Sequence, residues 1–177
     1  MFMNKNRLPA LILGLLCVVY LIFIAGSFSL LPERVASHFG GDGQPNGWMP
    51  RVFYLRFIAG IGLGVTALFA SLAYGLRFLP TSLINLPQRN YWLAPERRAE
   101  TSAWLCGAML WFSCLMIGFL AGIHYLAIEA NRSNPVHLPM APFAILVTAF
   151  LIATTGWVVI LFRHFSKLPD LSQTGKK

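Results

Sequence analysis

Leu31–Arg51 reads LPERVASHFGGDGQPNGWMPR, and its contrast with what lies on either side decides the fold. The stretch holds four glycines (Gly40, Gly41, Gly43, Gly47), three prolines (Pro32, Pro45, Pro50), His38 and the acids Glu33 and Asp42. Glycine admits positive φ, and proline fixes φ and ends helices, so these residues specify a folded loop with tight turns. Long apolar runs flank it, and helices there would hold both ends of the loop in place. A polar, turn-rich island between two apolar helices is the first place to seek a recognition site.

Working outward, the chain of 177 residues is 56% hydrophobic and 11% charged, with a mean hydropathy of +0.63. Ordinary soluble domains carry about 25% charged and 45–50% apolar residues. A soluble chain of this size could not hide so much apolar surface and keep a wettable exterior, whereas a bilayer asks for apolar outer positions. Segments at about 8–31, 57–76, 102–128 and 138–162 are apolar throughout. Each meets the roughly 20 residues needed to cross a ~30 Å hydrocarbon core as a helix. They lack period-2 alternation, and an open sheet edge is not tolerated in lipid, so membrane strands are excluded. The expected fold is all-α and integral to the membrane. It is one domain over 1–177 with four transmembrane helices in a compact bundle, an ordered outer loop at 32–51 and a cytoplasmic loop at 77–101.

Charge bias gives the expected orientation. Lys5 and Arg7 precede the first span, Arg77, Arg89, Arg97 and Arg98 lie between the second and third, and Arg163, Lys167, Lys176 and Lys177 follow the fourth. Ten of the fourteen basic residues thus fall on one side, with Arg34, Arg51, Arg56 and Arg132 on the other. Positive-inside logic places both termini and the 77–101 loop in the cytoplasm, and the glycine-rich loop outside. The net charge of +8 reads as this bias plus attraction to anionic lipid. Nucleic-acid binding needs a coherent basic face, which is absent. The apolar run after Met1–Arg7 exceeds a cleavable signal's 7–15 residues, so an uncleaved first helix is expected.

Along the spans, Gly60-x-x-x-Gly64 begins a small-residue stripe through Ala67, Ser71 and Gly75, and Gly118-x-x-x-Gly122 is a second such contact. Small residues let helix backbones approach in lipid, so both are expected to pack within the bundle. Thr148, Thr154 and Thr155 can bond their own helix backbone. Tyr91, Trp92, Arg97 and Arg98 form the expected cytoplasmic interface of a lipid-hugging connector, with Pro95 opening the third helix. Cys17, Cys106 and Cys114 fall inside spans and read as packing residues. Asn131-Arg132-Ser133 matches the Asn-x-Ser glycosylation pattern, which reads as a chance match.

Three histidines, His38, His124 and His137, are placed on the outer side with Glu33, Asp42 and Glu129. Histidine with carboxylate can bind metal or move protons, but the spacing is irregular and HExxH is absent. GxSxG, Walker and GxGxxG patterns are missing, and no span carries a central carboxylate or lysine. A non-enzyme without cofactor is expected, with an outer-histidine metal protein the least favoured alternative.

The opening stretch is similar to the signature LP-x-x-(I/V)-x-x-HF-x-x-x-G-x-P-x-G of a bacterial membrane family of undefined function. The matching positions are Leu31, Pro32, Val35, His38, Phe39, Gly43, Pro45 and Gly47, with Trp48 at the frequently aromatic next position. That module forms the N-terminal half of SdpI-type immunity proteins, which protect cells from a secreted killing peptide and take part in signalling. Asn85-Leu86-Pro87 through Tyr91-Trp92 and Pro95-Glu96-Arg97-Arg98 also resemble stand-alone members. The resemblance implies a multi-pass protein of the bacterial inner membrane that recognises a peptide, lipid or protein partner in immunity or sensing. His38, Asp42, Trp48 and Glu33 are the expected partner-binding residues, and Pro32, Phe39, Gly43, Pro45 and Gly47 the loop scaffold. An accessory or structural subunit of a larger membrane complex is the alternative.

Overall fold

Each apolar run forms a helix; the first ends short of its expected limit, and the third extends well beyond its limits at both ends. A computed structural model describes residues 6–167; Lys5, Lys176 and Lys177 of the charge bias lie outside that range. Helix α1 (Arg7–Gly26) leads through a 3-10 turn (Phe28–Leu30) into strands β1 (Arg34–Phe39) and β2 (Pro45–Pro50). Helix α2 (Arg51–Gly75) follows, then a connector with a 3-10 turn (Thr81–Leu83) and a single helical turn (Arg89–Trp92). Helices α3 (Pro95–Arg132) and α4 (Met140–Ser166) complete the described chain. All four long helices are long and apolar enough to cross a membrane.

The boundaries have local causes. A residue before proline is pushed out of the helical region, and Leu31, ahead of Pro32, is extended at φ −102°, ψ 143°. The α-helix ends at Gly26, a 3-10 turn follows, and the extended Leu31 closes the run at the position the proline dictates. Pro95 occupies the first turn of α3, where its missing N–H costs nothing. α3 has 38 residues, about 57 Å at 1.5 Å per residue, so it exceeds a ~30 Å hydrocarbon core. Hydropathy marked only its embedded part; the polar turns at 95–101 and 129–132 continue the same helix.

α3 is the mast of the fold, and α1, α2 and α4 each pack against it. Its buried residues, among them Thr101, Leu105, Leu110, Ile117, His124 and Ile128, cover more than half of its circumference, and Trp111, Gly118 and Tyr125 mark the face left exposed. The compact bundle expected from sequence needs correction at α4. That helix buries only Phe165 and meets chiefly α3, through the Phe119–Phe150 ring stack at 4.2 Å and Trp157 Nε1 donating to the Ala108 carbonyl at 2.9 Å. A fourth helix that buries so little is stable only where its outer face needs no water.

The small-residue stripe also points the other way. A Cβ at Gly60, Gly64 or Gly75 would meet nothing within 4 Å, and Ala67 and Ser71 are exposed. The close approach is made one face round, where Tyr20 of α1 lies on Gly62 and donates its hydroxyl to the Ile58 carbonyl at 2.8 Å. Gly122 does pack as expected, beneath Leu146, while Gly118 faces open space. The Thr154 hydroxyl, expected to bond its own helix, is buried without a partner.

The stretch between α1 and α2 is an antiparallel hairpin, which an all-α reading did not contain. Val35 pairs with Met49, Ala36 with Trp48 and His38 with Gly47, with a bulge between Ala36 and His38. Gly43, at φ 80°, makes the turn.

Candidate functional site

The hairpin is fastened to the helices by one side chain in particular. Asn131, in the last turn of α3, accepts from the Ala36 N–H through Oδ1 (2.7 Å) and donates through Nδ2 to the Ala36 carbonyl (3.0 Å). An amide that both accepts from and donates to one residue does what a neighbouring strand does. Nδ2 also donates to the Ala127 carbonyl at 2.8 Å. Asn131 is buried, which removes it from any modification at the Asn-x-Ser pattern.

The segment between α3 and α4 closes over the turn. Leu138 N–H donates to the Gly43 carbonyl at 2.9 Å, and His137 Nε2 lies 3.0 Å from the Asp42 carbonyl. A Cβ at Gly43 would collide with the His137 ring. On the opposite side Arg51 donates to the carbonyls of Leu31 (2.9 Å) and Phe28 (3.3 Å), with its guanidinium 4.0 Å over the Phe28 ring. Arg51 thus ties the start of α2 to carbonyls of the 3-10 turn and of Leu31 that follow the first helix.

Beneath the hairpin His124 links three helices. It is fully buried. Its Nδ1 lies 3.0 Å from the Tyr54 hydroxyl of α2, and its Nε2 lies 2.9 Å from Ser27 Oγ at the end of α1. Ser27 spends its hydroxyl proton on the Ile24 carbonyl at 2.7 Å. It therefore accepts from Nε2–H, and Tyr54 donates to Nδ1. Every polar atom of this set is satisfied by a neutral imidazole. Phe23 meets the ring edge-on at 5.0 Å.

The cavity that borders the hairpin lies on the α2–α4 side. Its volume is about 370 Å³. Ser37, His38 and Phe39 line it from β1, Phe57 and Ile61 from α2, Leu120 and Ile123 from α3, and Phe143 from α4. Nearly all of the surface is apolar; His38 and Ser37, whose Nδ1 and Oγ are 3.3 Å apart, supply the polar edge.

The expected partner-binding residues divide on this geometry. His38 is exposed and borders the cavity. Trp48 is exposed on β2. Asp42 is also exposed, but its Oδ1 accepts from the Gln44 N–H at 3.0 Å and so shapes the turn. Glu33 is exposed at the base of the hairpin, where its carbonyl accepts from the Arg51 N–H at 2.8 Å. Of the scaffold residues, Gly43 and Gly47 occupy tight positions, Gly47 against the His38 side chain. Phe39 packs on the Leu126–Leu138 cluster, Pro45 opens β2, and Pro32 follows the extended Leu31. The histidines do not converge: His124 is enclosed, His137 holds the turn and His38 borders the cavity. Among the described residues, no group of three or more His, Cys, Asp or Glu side chains is placed to hold a metal ion.

At the opposite end, the connector residues make contacts within the chain. Trp92 Nε1 donates to the Phe165 carbonyl at 2.8 Å, Arg97 lies 4.0 Å over the Tyr91 ring, and Arg98 donates to the Leu79 carbonyl at 2.7 Å. Ser27 and Tyr54 belong to no motif, and Asn131 enters only through the Asn-x-Ser match, which says nothing of its bonds to Ala36. The available signal was a polar side chain near the end of an apolar helix, facing a loop rich in unpaired backbone groups.

No curated protein and no solved structure matches the chain. Residues 15–63, from within α1 through the whole hairpin to the middle of α2, match the family model DUF1648, a domain of unknown function.

Proposed function

We propose that this is a non-catalytic recognition protein of the bacterial inner membrane, with both termini in the cytoplasm and the hairpin outside. It captures an apolar segment of a membrane-active peptide in the groove beside His38, in an immunity or sensing role like that of the SdpI-type proteins. The observation that carries this reading is the cavity of about 370 Å³ itself. It lies between α2 and α4, is apolar where lipid tails would be and is bordered by His38 and Ser37 where headgroups would be. A peptide lying at the membrane surface presents the same two textures, a greasy face and a polar one.

The test is protection. Expressed in a sensitive bacterial host, the protein is expected to raise the inhibitory concentration of a membrane-active peptide several-fold. Ile61→Trp fills the groove and His38→Ala removes its polar edge, and each should abolish protection at unchanged membrane levels. Protection that survives both substitutions overturns the reading.

A second reading, an accessory subunit of a larger membrane complex, draws on the open Gly60–Gly64 face of α2. Small-residue faces suit close helix contacts in lipid. Mass determination after gentle detergent extraction distinguishes the two, since a subunit travels with its complex.

A further inference from the structure

At the end of the molecule opposite the hairpin, a second cavity has a different chemistry. Its volume is about 360 Å³, and Arg77, Pro95, Arg98, Ala99 and Ser102 line it. Arg77 follows the end of α2, and the other four lie on the opening turns of α3 at spacings of three, four and seven residues. That spacing puts them on one helix face. The two acids of the same turns, Glu96 and Glu100, project about a quarter to a third of a turn further round. Glu100 lines the separate tryptophan-rich cavity between α3 and α4. The residues that line the Arg77–Arg98 cavity include no carboxylate.

Both cations are oriented without being neutralised. Arg98 spends one guanidinium nitrogen on the Leu79 carbonyl, and Arg77 lies 4.5 Å over the Phe78 ring. Each keeps other N–H donors free. Arg98 also sits at the positive end of a helix macrodipole, where a cation is disfavoured and an anion welcome. Two arginines lining one pocket with no acidic side chain in its wall suit the oxygens of a phosphate, which arginine binds through paired N–H donors.

We propose that the Arg77–Arg98 pocket binds the phosphate group of an anionic lipid headgroup, the acyl chains running down the apolar flanks of α2 and α3. Basic pockets between transmembrane helices take such headgroups. A free phosphate ion offers the same oxygens, so the experiment separates the two sources.

The delipidated full chain in detergent is titrated with phosphatidylglycerol and with phosphatidylcholine, and bound lipid is read by native mass spectrometry. Phosphatidylglycerol should be retained more strongly, and Arg77→Gln should weaken that retention roughly fivefold, the loss of one arginine near an anionic headgroup. Arg89→Gln, an exposed arginine outside the pocket, should change nothing. Arg98→Gln should weaken retention too, but it also removes the bond to Leu79, so Arg77→Gln is the decisive variant. If millimolar inorganic phosphate displaces the lipid, the pocket reads phosphate alone; if it does not, the lipid is the ligand, and both results keep the site. Equal retention of the two lipids, or equal effects of Arg77→Gln and Arg89→Gln, overturns it.

Discussion

At the scale of single residues, two side chains hold the hairpin end and neither announces itself. His124 looks from sequence like one of three outer histidines available to a metal or a proton. In the fold both of its nitrogens are engaged, by Ser27 and Tyr54, inside an apolar cluster containing Tyr20, Ile24 and Ile117. Tyr54→Phe leaves Nδ1 buried with no donor. A stranded buried acceptor costs about 1–3 kcal/mol, so thermal unfolding of the detergent-solubilised variant is expected several degrees below the parent. Unchanged stability would show that Tyr54 contributes nothing through its hydroxyl. The participation of Asn131 was illegible because its partner is backbone, and any residue at position 36 would offer the same N–H and carbonyl. Sequence patterns register side chains, and this bond reads none on its far side.

At the scale of elements, the helices were legible and the strands were not. Apolar runs of more than twenty residues leave little choice of structure in lipid. β2, by contrast, is Pro-Asn-Gly-Trp-Met-Pro, composed largely of residues depleted in strands. Its conformation is set by the turn at Gly43, by pairing with β1 and by the clamp on Ala36. Helix faces were misassigned for a related reason. Gly60-x-x-x-Gly64 is the more familiar spelling, but Gly62 with Thr66 four residues on is the pair turned inward. A leucine at Gly62 would occupy the space of the Tyr20 ring. Overpacking of this kind costs about 1–3 kcal/mol, whereas Gly60→Leu should stay within about 0.5 kcal/mol of the parent. Side-by-side unfolding of the two variants checks the assignment, and a more damaging Gly60→Leu would reverse it.

At the scale of the whole molecule, four helices long and apolar enough to cross a membrane were readable from hydropathy, but their arrangement was not. Nothing in the composition of the last apolar run says that it leans on α3 and leaves the rest of its surface free. Nor does hydropathy reveal that α3 outruns the membrane at both ends. The orientation proposed from arginine and lysine bias is open to direct test. In intact cells a membrane-impermeant thiol reagent is expected to label Asp42→Cys and to miss Gln88→Cys, in a background lacking Cys17, Cys106 and Cys114. The opposite pattern would invert the topology and place the His38 groove in the inner leaflet.

The amide of Asn131 has a consequence for how copies of this protein coexist in a crowded membrane. A two-stranded ribbon has two raw rims, and each is a template on which a neighbour's ribbon could add. One rim is sealed by Asn131 at Ala36, and the other is bounded by Pro45 and Pro50, which have no N–H to give. Asn131 withdraws Ala36 from ladder growth on one rim, and the prolines withdraw donors at the two ends of the other, so growth from hairpin to hairpin is hindered on both sides.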